Sequence, residues 1–189
     1  MIMMTGDKIV YPSQGPCQVG PLVERVIDEQ PLMFYQLLVL DDGGGDLFIP
    51  VEKVGSVGIR LLLDISEISK LLDHLSQPAA VADSYHQHNI HNLKLFASGS
   101  AKSKAEIVGS LTELHNTRSL SFREHKTFEK AKRLLVCEIA EVTATTREAA
   151  KEQVETALTA RTKKAQAGTA ARRRLAASRS QSRCQAASG

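Results

Sequence analysis

The chain has 189 residues, 42% of them hydrophobic, and a formal net charge of +3. This length and composition predict one or two small globular domains and exclude a chain that is disordered throughout. No apolar run approaches the roughly 18 residues that a membrane-spanning helix needs. The first residues also lack the charged leader and apolar core of a signal peptide. We therefore predict a soluble, cytoplasmic protein with no membrane partner.

The positive charge is concentrated at the C-terminal end of the chain. No Asp or Glu follows Glu155, whereas eight Lys and Arg residues do. Without these eight, 16 of the 24 basic residues remain against 21 acidic ones, so residues 1–155 carry about −5. A polyanionic partner is therefore predicted for the tail alone.

The three cysteines are Cys17, Cys137 and Cys184. Their odd number and wide spacing argue against a disulfide framework or a zinc ribbon and are typical of a reducing compartment. Cys137 falls near the apolar face of a predicted helix, where a small buried side chain is the expected role.

Residues 1–62 predict a small β domain. Four runs are rich in β-branched, aromatic and apolar residues, and Gly and Pro separate them. Residues 41–46, Asp-Asp-Gly-Gly-Gly-Asp, supply the positive-φ positions of a tight hairpin. Several short strands imply a twisted sheet or partly closed barrel with an open edge available for binding. The runs are Ile9–Tyr11, Val19–Ile27, Phe34–Leu40 and Leu47–Val51.

Residues 63–161 predict a compact all-α bundle of about five helices, so the expected fold class is α+β with two domains. Apolar residues change to helical spacing from Ser66 onward. Further helices are predicted over Ser84–Ser98 and about Lys102–Asn116. Capping boxes at Ser121 with Glu124, and at Thr145 with Glu148, predict the last two helix starts. Residues 162–189 are rich in Ala, Ser, Gln and Arg and predict a basic, disordered tail.

Specific motifs occur in a fixed order in both halves. The first half has residues 6–12, Gly-Asp-Lys-Ile-Val-Tyr-Pro, and then Ile49-Pro50-Val51-Glu52 followed by Val57-Gly58-Ile59-Arg60. The second has Asn92-Leu93-Lys94, then Leu120-Ser121, and then residues 131–136, Ala-Lys-Arg-Leu-Leu-Val. Together they resemble the CarD/CdnL family of bacterial transcription regulators over about residues 5–160. Transcription-repair coupling factors share the first module.

The resemblance implies a Tudor-like N-terminal domain that pairs a strand edge with the β subunit of RNA polymerase. Such backbone pairing gives affinity without demanding particular side chains. Arg25 falls where the family carries a basic contact to polymerase, and Phe48 stands where relatives often carry a second Arg. Together with Pro50, these residues form the predicted polymerase-binding site.

The resemblance also implies that the helical domain approaches promoter DNA at the upstream edge of the transcription bubble. Tyr85 occupies the position of the family's Trp, which inserts into the minor groove as a wedge. Relatives usually carry Arg and Lys where this chain has His86 and His88, and Lys where it has His125. Fewer cations imply weaker DNA binding with a flatter salt dependence. The predicted DNA-binding residues are Tyr85, His86, His88, His125, Lys126 and Lys130.

These features predict a non-enzymatic, monomeric regulator of transcription initiation, associated with the nucleoid through RNA polymerase. Tethering by the β domain would let weak promoter contacts stabilise the open complex. No catalytic residue, cofactor or metal site is predicted. One alternative is a polymerase-binding adaptor whose helical domain contacts another protein. Another is a metal-dependent sensor that uses His86, His88 and His91. The basic tail could be merely solubilising or could supply the missing phosphate contacts.

Overall fold

A computed structural model of the chain describes residues 2–41, 43–78 and 99–186. In these ranges a five-stranded antiparallel sheet precedes four α-helices, which gives an α+β fold in two parts. The β domain precedes the helical domain, in the predicted order. About five helices were predicted and four are described; the predicted helix over Ser84–Ser98 lies outside the described residues.

The sheet has the strand order β4-β3-β2-β1-β5, and all neighbouring strands are antiparallel. Four of its strands coincide with the four apolar runs, which confirms the prediction of strands there. The last strand has two residues, too few to show a periodic pattern in the sequence. The strands are β1 (Lys8–Tyr11), β2 (Gly15–Ile27), β3 (Gln30–Val39), β4 (Asp46–Pro50) and β5 (Arg60–Leu61), with a 3₁₀ turn over Val51–Lys53.

The core of the β domain covers one face of this sheet. Val19 pairs with Leu37, and Tyr35 pairs with Ile49, so these side chains share a face. All four are buried, and Ile9, Cys17 and six further apolar or aromatic side chains pack with them. The opposite face of β2, β3 and β4 can therefore hold residues that are not part of this core.

Two hairpin turns place residues at positive φ. Gly44 and Gly45 have φ of 50° and 128°, which confirms the hairpin predicted from the glycine-rich run. The β2–β3 turn reaches positive φ without glycine, at Asp28 and Glu29, with φ of 52° and 62°. Such conformations cost a non-glycine residue roughly 1 kcal/mol each.

The four helices share one hydrophobic core, which the apolar stripes in the sequence predict correctly. The helices are α1 (Ile65–Ser76), α2 (Ala101–Thr117), α3 (Phe122–Thr143) and α4 (Arg147–Ala186). The buried stripe residues are Ile68, Leu71, Leu75, Ile107, Val108, Leu111, Ala131, Leu135, Ile139, Ala150, Val154, Ala157 and Leu158.

One of the two predicted capping boxes is confirmed. The Ser121 hydroxyl accepts from the Glu124 N–H at 3.4 Å, and the Glu124 carboxylate accepts from the Ser121 N–H at 2.8 Å. The cap of α4 was predicted one residue too early. It is Thr146, whose hydroxyl accepts from the Ala149 N–H at 3.2 Å, because the cap must directly precede the first helical residue.

Helix α4 continues as far as Ala186, into the segment for which disorder was predicted. The disorder of residues 162–189 stays a prediction, and residues 187–189 lie outside the described residues. The composition of this segment lacks the apolar residues that could build a core. It does not exclude a helix, because Ala, Arg, Lys and Gln all have high intrinsic helix propensity. Within the described ranges, no helix combines the length and the apolarity that crossing a bilayer requires.

Helix α3 joins the two parts of the molecule. Arg60 of β5 donates to both carboxylate oxygens of Glu138, at 2.6 and 2.7 Å. Lys8 donates to Glu141 at 2.8 Å. A Cβ on Gly15 would lie 3.0 Å from Leu134 Cδ2, so the helix packs tightly on the start of β2. The two predicted domains are thus in direct contact.

Candidate functional site

Strand β4 forms an edge of the sheet and, in the part of the chain that the structure describes, pairs with β3 alone. The Val39 N–H donates to the Gly45 carbonyl at 3.0 Å, where the β3–β4 ladder begins. Hydrogen-bonded and non-hydrogen-bonded pairs alternate along an antiparallel ladder. The backbone groups of Asp46, Phe48 and Pro50, which belong to the non-hydrogen-bonded pairs, therefore point away from β3. Pro50 has no N–H, so an outward position suits it. The edge can therefore accept another strand.

Arg25 and Phe48 are in direct contact beside this edge. The guanidinium carbon of Arg25 lies 3.6 Å from the centroid of the Phe48 ring, which is cation–π geometry. Arg25 is opposite Leu32 and Phe48 is opposite Gln36, so both belong to the face that is turned away from the core. In the sequence, Phe48 stands where relatives often carry a second Arg, so one positive charge is absent. In the structure the Phe48 ring contacts the positive charge that remains, the guanidinium of Arg25.

The three predicted polymerase-binding residues therefore lie at one corner of the sheet. Pro50 is opposite Phe34 in β3, which puts Pro50 on the same face as Arg25 and Phe48. Two strands supply the residues of this corner, which we call the edge site: β2 supplies Arg25, and β4 supplies Phe48 and Pro50. Strand β3 lies between them. The structure brings the residues together, and their role in binding stays a prediction.

The far end of the β2–β3 hairpin carries apolar residues that the sequence analysis did not identify as functional. Leu22, Val26 and Met33 are 51%, 72% and 45% exposed. Their alternation continues that of the core face, but the hairpin extends beyond the part of the sheet that the core covers. Exposed apolar clusters are typical of protein contact surfaces. No sequence signal could separate these residues from core residues, because their spacing is the same.

A second candidate surface lies between α3 and α4. Lys126, Lys130 and Arg133 recur at spacings of four and three residues, so they share a face of α3. Arg147 and Lys151 of α4 line the opposite side of the same groove, which has a volume of about 730 Å³. Besides Lys132, the groove is also lined by the acidic residues Asp41, Glu129, Glu148 and Glu155. We call it the basic groove.

Internal pairing reduces the positive potential of the basic groove. Arg133 and Arg147 both approach the carboxylate of Asp41, at 3.2 and 3.5 Å. Lys132 forms an ion pair with Glu155. With six cationic and four acidic residues in its lining, the groove has a small net charge. It can attract a phosphate backbone, but weakly.

The floor of the basic groove includes a buried thiol. Cys137 is 2% exposed, which confirms its prediction as a buried side chain, and its thiol donates to Asp41 Oδ1 at 3.4 Å. Burial, together with the nearby Asp41 carboxylate, raises the pKa of Cys137 to about 11. Because the thiolate is the reactive form, this cysteine should be inert at neutral pH.

The predicted DNA-binding residues are only partly placed by the structure. Lys126 and Lys130 line the basic groove, whereas His125 is exposed on α3 and does not line it. Tyr85, His86 and His88 lie outside the described residues, as does His91. No group of three His, Cys, Asp or Glu side chains within residues 2–41, 43–78 and 99–186 is arranged to hold a metal ion. The metal-sensor interpretation depends on the undescribed histidines and stays untested.

Two family models match the chain. Residues 3–62 match the CarD-like/TRCF RID domain, an RNA polymerase-interacting domain, and residues 70–155 match the CarD C-terminal domain. Both occur in the order that the sequence motifs predict. Domains of these types mediate interactions and are not catalytic. The edge site lies in the first match and most of the basic groove in the second, while most of α4 lies outside both.

Proposed function

The chain belongs to the CarD/CdnL family and carries an RNA polymerase-interacting domain, and on this premise we propose that its edge site binds the polymerase β subunit. The helical domain then contacts promoter DNA near the upstream edge of the bubble and stabilises the open complex. In this proposal the protein acts without catalysis, as a monomer, and is associated with the nucleoid through polymerase.

The observation that carries the proposal is the open β4 edge with Arg25 stacked over Phe48 beside it. Outward backbone groups supply affinity through an added strand, and the adjacent side chains select the partner. Phe48 restricts the rotamers of Arg25, so less side-chain entropy is lost when the guanidinium meets a carboxylate. A positively charged, preorganised corner favours a partner strand that is flanked by acidic residues.

Tethering explains how a weakly basic groove can act on DNA. Once the edge site holds polymerase, the helical domain meets the promoter at an effective concentration that can reach the millimolar range. Lys126 and Lys130 then need only weak phosphate contacts. A gain of about 1.4 kcal/mol in the open complex changes its equilibrium constant tenfold. In the same proposal, Tyr85 serves as the aromatic wedge, with His86, His88 and His125 beside the DNA.

A polymerase-binding adaptor is the second candidate function. It is favoured by the near balance of cationic and acidic residues in the basic groove, which suits a protein surface of mixed charge as well as DNA. In that case the helical domain would recruit another protein to polymerase and leave the promoter untouched.

Binding to the isolated β subunit tests the edge site. We expect Arg25→Glu to abolish binding, because it reverses the charge and removes the cation–π pair. Phe48→Leu should weaken binding about 2- to 5-fold, the value of an exposed cation–π contact. Lys53→Glu, at an exposed position on the 3₁₀ turn, controls for the change of net charge. Wild-type affinity of the Arg25→Glu protein would refute the edge site.

Open-complex lifetime with the cognate polymerase separates the two candidate functions. We expect the wild type to prolong the lifetime, and Arg25→Glu, Tyr85→Ala and the double variant Lys126→Gln/Lys130→Gln to shorten it. If Arg25→Glu alone removes the effect, the adaptor function is correct and promoter contact is not. Absence of any wild-type effect would refute the stabilisation of the open complex, and the β-subunit assay would still report on tethering.

A further inference from the structure

Helix α4 has two parts of opposite character. Residues 147–161 pack into the helical core through Ala150, Val154 and Leu158. Residues 162–186 continue the same helix beyond that core. Residues 162–189, here called the extension, contain one large apolar residue, Leu175, and no acidic residue. The extension lies outside both family matches.

Arg161 fixes the helix where it leaves the core. Its side chain is 4% exposed; Nε donates to Glu113 at 2.7 Å, and Nη1 donates to the Leu75 carbonyl at 3.2 Å. Lys164 donates to the Ser76 hydroxyl at 3.1 Å, one turn further on. Because the core holds Arg161, the extension begins from an anchored point and carries seven cations of its own. These are Lys163, Lys164, Arg172, Arg173, Arg174, Arg179 and Arg183.

This charge distribution leaves the extension without internal compensation. An isolated helix gains stability from opposite charges four residues apart, and like charges at that spacing destabilise it. The extension has no carboxylate to form such pairs. The body carries about −5, but the extension itself supplies no carboxylate to neutralise its cations. A bound polyanion would supply that negative charge.

We propose that the extension is a binding element for the phosphate backbone of duplex DNA. Residues 162–186 span roughly 37 Å as a helix, close to the length of one DNA turn. Seven cations without acidic neighbours match a uniformly charged polyanion, and contacts to phosphates are independent of base sequence. A membrane surface fits poorly, because the extension lacks the broad apolar face of interfacial helices.

This element goes beyond the proposed function, because it requires neither polymerase nor the basic groove. It adds a sequence-independent contact on the side of the helical domain where α4 leaves the core. Each cation that neutralises a phosphate contributes about 0.9 to the slope of log affinity against log salt. We therefore predict that substitutions of cations in the extension reduce the salt dependence of DNA binding.

The test uses the full chain and a random-sequence duplex without polymerase, with affinity measured between 50 and 200 mM salt. We expect Arg172→Gln/Arg173→Gln/Arg174→Gln to reduce the slope by about 3, so that its affinity falls about 40-fold less than wild type across this range. Gln has nearly the helix propensity of Arg, so circular dichroism should show unchanged helix content. The matched control, Lys53→Gln/Lys70→Gln/Lys102→Gln, removes three exposed lysines from the body and should keep most of the slope.

Two results would overturn the proposal. One is an equal slope in the wild type and the Arg172–Arg174 variant. The other is binding to phosphatidylglycerol vesicles at salt concentrations where the duplex is not bound, which would assign the extension to a membrane surface. Neither result bears on the edge site, because the β-subunit assay contains no DNA. Lys126→Gln/Lys130→Gln tests the basic groove separately.

Discussion

Lys104 is a buried amine at the junction of the helical core and the sheet. Its side chain is 1% exposed, and Nζ lies 3.9 Å from Glu138 Oε2. Among the side chains described, its Nζ is a buried nitrogen that has no hydrogen-bond partner. Burial lowers the pKa of Lys104 to about 8, although the Glu138 carboxylate opposes this shift. The Glu138 carboxylate has a cationic partner without Lys104, because Arg60 donates to both of its oxygens.

We predict that Lys104→Met stabilises the protein at neutral pH. Below pH 8 the lysine is protonated in both the folded and the unfolded chain, so the cost of burying its charge is present in full. Between pH 8 and the ordinary pKa of 10.5, the unfolded chain binds the proton more strongly, so the wild type regains stability as the pH rises. The variant's advantage should be on the order of 3 kcal/mol at pH 7 and under about 1 kcal/mol at pH 10.

Urea unfolding of the wild type and of Lys104→Met at both pH values measures this difference. Lys102→Met, an exposed neighbour on the same helix, is the control and should change the free energy of unfolding little at either pH. An equal advantage of Lys104→Met at pH 7 and pH 10 would show that packing, and not the buried charge, is responsible.

Single residues differ in how far the sequence predicts them. The Ser121–Glu124 box could be predicted because both partners lie within one helical turn. Lys104 and Glu138 are 34 positions apart and lie on different helices, so no local pattern marks either as buried. Lysine is almost never fully buried, which makes the solvated side chain the default expectation for Lys104.

The crossing of α2 and α4 depends on a glycine. A Cβ on Gly109 would overlap the guanidinium of Arg161, which passes directly over it. This guanidinium cannot move aside freely, because it is bonded to Glu113 and to the Leu75 carbonyl. Glycine in a helix costs about 1 kcal/mol relative to alanine. At this position the missing side chain lets the Arg161 guanidinium approach α2 closely, and this contact anchors α4.

We predict that Gly109→Ala lowers the free energy of unfolding by about 1–3 kcal/mol, since overpacking outweighs the gain in helix propensity. Gly168→Ala is the matched control, because a methyl group on Gly168 of α4 would meet no atom within 4 Å. That substitution should be neutral or slightly stabilising in the same thermal unfolding experiment. Similar effects of the two substitutions would show that Arg161 does not constrain Gly109.

At the scale of elements, the alternation of apolar residues predicts β1 to β4, and helical spacing predicts the buried faces of α1 to α4. The elements and helix starts that the sequence does not predict correctly have separate physical causes. Two residues cannot establish a period in β5. Thr145 and Thr146 are chemically equivalent as caps, so the sequence cannot choose between them.

Asp41 connects the β3–β4 turn to both α3 and α4. Its carboxylate is 8% exposed and approaches Arg133 and Arg147, while the Arg147 guanidinium also donates to the Leu40 carbonyl. The same turn leads into β4 and hence into the edge site. The position of the helical domain relative to the edge site is therefore fixed near this carboxylate.

We predict that Asp41→Asn destabilises the protein by about 1–3 kcal/mol, because the partly buried Arg147 and the exposed Arg133 lose the buried carboxylate that they share. It should also accelerate alkylation of Cys137, whose high pKa partly reflects the Asp41 charge. Unfolding measurements and the alkylation rate of this thiol at pH 8 report the two effects. Asp46→Asn, an exposed carboxylate bonded to Gln36 on the same hairpin, should change neither. Unaltered stability of Asp41→Asn would contradict a fixed junction.

The whole molecule is the scale at which sequence analysis predicts least. Composition and periodicity identify two domains in the right order, but not that they share an interface. The partners in this interface are far apart in the chain, at 78 positions for Arg60 and Glu138 and 106 for Arg147 and Asp41. Charged residues at such separations carry no pattern, because any one of them could equally be solvated.

The contact between α3 and the sheet bears on how such proteins can evolve. The two matched modules are separate units of sequence, ending at residue 62 and beginning at residue 70. In this chain, however, a helical module transferred alone would leave Glu138 without Arg60 and would expose Leu134, which packs on Gly15. Recombination at the short segment between the modules would thus carry a penalty in stability. In this chain, residues on the two sides of the interface are therefore expected to change in concert.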